Sequence, residues 1–159
     1  MPMEIDTSRE PVSGRMAIVV STYNESITGN LLNGAVDTLR AAGVADESIV
    51  VAKVPGAWEI PLSVRQLAMQ DEVVAVIALG AVIRGDTTHD QHINRSVTLA
   101  LMEIQLECEK PIALGLLTCN TVEQAVHRSG GNLGNKGSEA AQAALQMVRL
   151  TRAIDKAEL

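Results

Sequence analysis

Two histidines, two aspartates, two threonines and an arginine fall within residues 84–92 of this chain, directly behind the apolar run VVAVIALGAVI at 73–83. The full stretch, GAVIRGDTTHDQHI (80–93), leaves a core and at once presents proton carriers and anion partners. His89 is the side chain suited to taking and returning a proton near neutral pH. Thr87 and Thr88 stand before a helical pattern, and a helix start favours phosphate or carboxylate through its free N–H groups and positive dipole end. His89 would occupy the first helical position. Asp86 lies three residues before it. The plainer reading makes Thr88 a simple helix cap, with Gln91 completing a capping box, and His89 a structural side chain. A metal reading is weaker. His89 and His92 are three apart, whereas zinc helices space two histidines by four with a glutamate between them, and no further ligand set stands elsewhere. No metal is expected.

Three other segments carry chemistry. STYNES (21–26) and VPGAWEIP (54–61) hold the only two aromatic residues of the chain, Tyr23 and Trp58. Flat rings of this kind stack on flat ligands; alternatively they only cover loops. SGGNLGNKG (129–137) has a phosphate-loop look, but the G-x-x-x-x-G-K-[ST] spacing fails because Asn135 precedes Lys136 and Gly137 follows it. Its glycines are read as a bend between two helices. Arg128 and Lys136 flank that bend, either as surface cations or as holders of an anion.

The elements that must position these residues follow from the pattern. RMAIVVS (15–21), SIVVAKV (48–54), EVVAVIALGAVI (72–83) and PIALGLLT (111–118) are rich in apolar and mostly β-branched residues and read as strands. The third is apolar on both alternating sets, as in a sheet covered on both faces. Ile27, Leu31, Ala35 and Leu39 recur at helical spacing, and Gly43 suits a left-handed helix end. Pro61 opens a short helix to about Met69. Ile93, Val97, Ala100, Leu101, Ile104 and Cys108 mark a long helix, with a short helix from Thr121 to near Arg128. A last helix has Ala141, Ala144, Leu145 and Val148 inside and frays into RAIDKAEL. Thr121 with Gln124 forms a second capping box. Strand and helix alternate, which predicts a parallel sheet with right-handed crossovers. The fold class is α/β, a three-layer α/β/α sandwich with a four-stranded parallel sheet, flavodoxin-like, with an N-terminal arm at 1–14 and a single domain at 15–159. Ligands of such sheets bind at the carboxyl ends of the strands, where the distinctive segments fall.

Composition sets limits. Of 159 residues none is Phe, so the core must be built from Val, Ile, Leu, Ala and Met. The formal charge of −6, with no basic run, argues against a nucleic-acid surface. Cys108 and Cys119 suggest no disulfide framework and fit reduced thiols in the cytoplasm. No apolar run reaches membrane-spanning length.

STYN, VPGAWEIP, GAVIRGDTTH, LLTCNTVEQA and HRSGGNLGNKGSEAA, in this order and spacing, resemble the lumazine synthase family, from about Met16 to Val148. The resemblance implies condensation of 5-amino-6-(D-ribitylamino)uracil with 3,4-dihydroxy-2-butanone 4-phosphate to 6,7-dimethyl-8-ribityllumazine, the penultimate step of riboflavin biosynthesis, with no cofactor. It implies that Tyr23 stacks on the pyrimidine with Asn24 beside it. Ala57, Trp58 and Glu59 would hold the ribityl chain. Ala81, Val82 and Ile83 would offer backbone groups to the uracil edge. Asp86 and Thr87 would bind the phosphate, His89 would shuttle protons, and Arg128 would reach the phosphate from a neighbouring subunit, with Lys136 nearby. Leu114 stands where many members carry an aromatic that closes the pocket, Asn132 where a lysine is common, and HDQHIN replaces a more usual run after His89. The family also implies a homopentamer, alone or as twelve pentamers in a 60-subunit icosahedral shell, an arm that adds a strand to a neighbour, and riboflavin synthase as a candidate partner.

Overall fold

A computed structural model describes residues 1–159 of the chain. Four strands, β1 (Arg15–Ser21), β2 (Ile49–Val54), β3 (Val73–Ile83) and β4 (Ile112–Cys119), form one sheet. All pairings are parallel, in the order β2-β1-β3-β4. Five helices are α1 (Glu25–Ala41), α2 (Ile60–Ala68), α3 (His89–Cys108), α4 (Val122–His127) and α5 (Lys136–Lys156). Short 3-10 turns cover Asp46–Ser48 and Ala57–Glu59.

Period-two alternation in the strands divides the core into two layers. Met16, Ile18, Val20, Ile77, Leu79 and Leu117 face α1 and α5, meeting Leu31, Leu39, Ala141 and Leu145. Ala17, Val19, Val76, Ala78 and Leu116 face the other way, meeting Ile60 and Val64 of α2 and Val97, Leu101 and Ile104 of α3. Helices on both faces of a parallel sheet give the three-layer, flavodoxin-like sandwich expected from the sequence. The small core residues let helices approach closely. A Cβ on Gly137 would run into the Leu31 carbonyl, so α5 crosses directly over the α1 backbone.

Helix ends show which capping signals were real. Gly43 takes φ +89°. Its N–H donates to the Arg40 carbonyl (2.9 Å) and that of Val44 to Leu39 (3.0 Å). These two bonds close α1 in a Schellman motif. Beyond that end the Arg40 guanidinium binds the Asp46 carboxylate at 2.7 and 3.0 Å. That hydrogen bond holds the Asp46 carboxyl below its usual range. Thr121, in extended conformation, caps α4 by accepting from the Gln124 N–H at 3.2 Å. The returning Gln124 oxygen takes the Asn120 N–H, one residue earlier than a capping box requires.

Three local expectations need correction. Thr88 does not cap α3 with its side chain: its backbone sits at φ −84°, ψ 15°. A capping oxygen swings over the first turn from an extended residue. Thr88 instead faces the His92 ring at 3.5 Å, and Thr87 Oγ1 accepts the His89 N–H at 3.3 Å. The glycine-rich segment is not a plain bend but a small antiparallel hairpin, β5 (Ser129–Gly131) with β6 (Gly134–Asn135). The last helix does not fray at residue 152 but continues to Lys156.

Residues 1–14 form no strand or helix. Val12 is nonetheless buried with the α1/α5 layer. The Arg152 guanidinium holds Ser13 through its carbonyl (2.6 Å) and hydroxyl (3.2 Å).

Candidate active site at the carboxyl ends of the strands

The strand order reverses between β1 and β3: the chain goes from β1 outward to β2, then back across to β3 and β4. The loops on either side of such a switch point separate and leave a crevice. Here those loops are the ones that carry Tyr23–Asn24 and Asp86–His89.

Asn24 bridges the crevice. It adopts a left-handed conformation, φ 61°, which asparagine tolerates better than most residues. Its side chain leaves α1 uncapped, and Nδ2 donates to the Ala81 carbonyl at 3.4 Å. The Tyr23 ring lies over Gly56, where an added Cβ would stand 2.7 Å from Cδ2. Tyr23 is 64% exposed and Trp58 65%. A core without aromatics thus coexists with two rings held out beside the crevice. The turn carrying Ala57, Trp58 and Glu59 abuts both β3 and α3, which brings Glu59, half-buried, toward the same region. Ala81 is buried, Val82 and Ile83 half-buried, and Asp86, Thr87 and His89 exposed at the mouth.

Arg128, Lys136 and Leu114 occupy a different place. Arg128 and Lys136 line a cleft of about 310 Å³ against Leu116–Thr118 of β4. Tyr23, Trp58, Glu59, Ala81–Ile83 and His89 are not among that cleft's walls. Leu114 is exposed on the same strand, which forms an open edge of the sheet. The Lys136 N–H donates to the Arg128 carbonyl at 2.8 Å, so these cations are neighbours across the base of the hairpin. Like charges in that relation repel. Lys136 meets Glu139 at 3.8 Å, while the Arg128 guanidinium has no acidic partner within the chain. An anion between Arg128 and Lys136 would relieve the repulsion.

Two groups in this region escaped sequence reading. The Ser21 hydroxyl, at the end of β1, is buried without a hydrogen-bond partner. It lies beside Gly80, among Ile60 and Leu116. Asp90 also turns one oxygen inward unpartnered. A lone serine closing an apolar strand was the available signal for Ser21. For Asp90 the sequence offered only its place beside His89. No group of three or more His, Cys, Asp or Glu side chains is arranged to hold a metal ion. A larger cavity, about 800 Å³, lies between the arm and the end of α5. It mixes Arg149, Arg152 and Lys156 with Glu4, Asp6 and Glu10 and touches none of the candidate residues.

Fold and surface together define a flavodoxin-like α/β protein whose switch-point loops carry the candidate residues and whose sheet edge carries a cationic cleft. Residues 13–152 match the family model of 6,7-dimethyl-8-ribityllumazine synthase. A protein of that name from Rhodopirellula baltica is 47% identical over 150 residues, covering 94% of this chain and 97% of the relative. Another, from Protochlamydia amoebophila, is 46% identical over 137 residues, covering 86% and 80%. The chain belongs to the 6,7-dimethyl-8-ribityllumazine synthase family.

Proposed function

We propose that this chain joins 5-amino-6-(D-ribitylamino)uracil to 3,4-dihydroxy-2-butanone 4-phosphate in a site completed by a second subunit. The condensation is the reaction of the family to which the chain belongs, a cofactor-independent transfer in riboflavin biosynthesis that releases phosphate and water. In the site, Tyr23 stacks on the pyrimidine and the Ala57–Glu59 turn holds the ribityl hydroxyls, with the Glu59 carboxylate accepting. The backbone of Ala81–Ile83 meets the uracil edge. Asp86 and Thr87 stand at the α3 start, where a phosphate is favoured. His89 moves protons as the amine attacks the ketone, water leaves, phosphate is eliminated and the ring closes. Arg128 and Lys136 of the adjacent subunit bind the same phosphate, and that subunit's Leu114 closes the pocket.

The carrying observation is that Tyr23, Ala81–Ile83 and His89 belong to the loops and strand end of one switch point, while Arg128 and Lys136 line a separate cleft on the adjacent edge strand β4. A single chain presents two halves. Orientation of two bound reactants supplies much of the rate in such a reaction, so no single side chain is indispensable.

Self-association has support on α3. Leu99, Met102 and Leu106 are 62%, 52% and 69% exposed. Their spacing of three and four puts them on one face, continued toward the helix start by Arg95 and His92. We read this face as the seam of a homopentamer, with assembly into a 60-subunit shell and enclosure of riboflavin synthase as the larger alternative. Residues 1–14 are read as an arm that can pair with a neighbour, followed by one domain. Both cysteines are free, which fits a reducing, cytoplasmic setting.

The test is direct. Purified protein is mixed with both substrates, and the lumazine chromophore is followed against the spontaneous reaction. Acceleration that falls about tenfold to a hundredfold in His89→Ala is expected, since positioned proton transfer contributes at least on this order. No acceleration, with the pyrimidine still bound, would leave a binding or shell protein instead.

A further inference from the structure

The cationic cleft depends on a hairpin too short to hold itself. β5 has three residues and β6 two, well below what a free-standing hairpin needs. Gly130 and Gly134, both at positive φ, add backbone freedom. Arg128 and Lys136 stand immediately outside its two ends, so their placement is only as good as the hairpin's.

One side chain ties it down. Asn135 Oδ1 accepts the N–H groups of Gly137 (2.8 Å) and Ser138 (3.1 Å), capping α5. Its Nδ2 donates to the Asn30 carbonyl of α1 at 2.9 Å. The carboxamide lies flat on Gly34, where an added Cβ would stand 2.5 Å from its atoms. The amide therefore uses both faces of its chemistry, the oxygen on α5 and the nitrogen on α1. Turning it over would set donors against donors and a carbonyl against a carbonyl.

We propose that Asn135 is the positioning residue of the cationic cleft: by clasping α1 and α5 together it fixes the hairpin base so that Arg128 and Lys136 converge on the phosphate of the second substrate. This rests on the reading of Arg128 as a phosphate ligand. Asn135 does not line the cleft, and its amide is taken up by backbone partners on α1 and α5. It acts through the backbone pair Arg128–Lys136, and misplacing long cations by an ångström is enough to weaken a bound phosphate.

The experiment is steady-state kinetics on the assembled protein, varying each substrate separately. Asn135→Ala is expected to raise KM for the butanone phosphate about tenfold, the equivalent of one lost charge-assisted contact. KM for the pyrimidine should stay within about twofold. Asn135→Asp keeps the α5 cap but sets a carboxylate oxygen against the Asn30 carbonyl. It should raise the same KM while the α5 end stays capped. Gly34→Ala pushes the carboxamide off its seat and should act likewise. The last two variants decide the matter if Asn135→Ala does not assemble. Arg128→Ala separates the two ideas. If Arg128→Ala raises the phosphate KM and the Asn135 and Gly34 variants do not, the clasp is only structural and the proposal is overturned. If Arg128→Ala itself leaves that KM unchanged, the phosphate reading fails and the proposal falls with it.

Discussion

Tyr23 shows how much a site can depend on a residue with no side chain. Its ring rests on Gly56, whose backbone is extended at φ −136° and would accept alanine without strain. The conflict is only with the ring, 2.7 Å from an added Cβ. Gly56→Ala should therefore leave the fold and thermal stability intact while it swings the ring away. Pyrimidine affinity should fall about three- to tenfold, the value of one aromatic stack; titration of the pyrimidine onto the variant measures it, and unchanged affinity would remove Tyr23 from the site. At this scale the sequence was most informative about types and least about roles. Two aromatics at strand ends, in a chain without phenylalanine, marked themselves. Ser21 and Asn135 did not, because a serine ending a strand and an asparagine among glycines have many ordinary uses. Their significance lies in what they touch, Gly80 in one case and Asn30 and Gly34 in the other, and those contacts join distant segments.

At the level of elements, strands and helices were legible because their signals are local. β-branched runs gave β1 to β4, and helical spacing gave α1 and α3. The sheet order was not legible, since pairing β1 with β3 joins segments more than fifty residues apart in sequence. Glycine content hid the β5–β6 hairpin, which resembles a bend until its register is seen. The two threonines before helices separate a sequence signal from its physical basis. Thr121 is extended and caps, whereas Thr88 is not extended and does not. Thr121→Ala should cost about 1 kcal/mol, and Thr88→Ala should change stability by less than about 0.5 kcal/mol. Urea unfolding of both variants checks this, and equal losses would contradict the assigned cap geometry.

For the molecule as a whole, the placing of the candidate residues in two regions, the switch point and the β4 edge, is the decisive feature. One chain carries His89 at the switch point and Arg128 in a cleft on the adjacent edge strand that His89 does not line. If a site takes one half from each of two copies, two defective proteins can repair each other. His89→Ala and Arg128→Ala variants, unfolded together and reassembled, should form some sites with both defects and others with none. Activity of the mixture should exceed the mean of the separate variants, which a chromophore assay reads at once; equality with that mean would place both residues in one chain's site. If the α3 face is the seam between subunits, Leu99→Glu should give the complementary result: smaller particles on sedimentation and loss of turnover with His89 and Arg128 still present. The absence of aromatic residues from the interior has an optical consequence. Tryptophan emission from this protein has a single source, Trp58, 65% exposed beside the crevice. A flat ligand arriving next to that indole should quench or shift its emission. Fluorescence should thus report occupancy beside Trp58 with no label added.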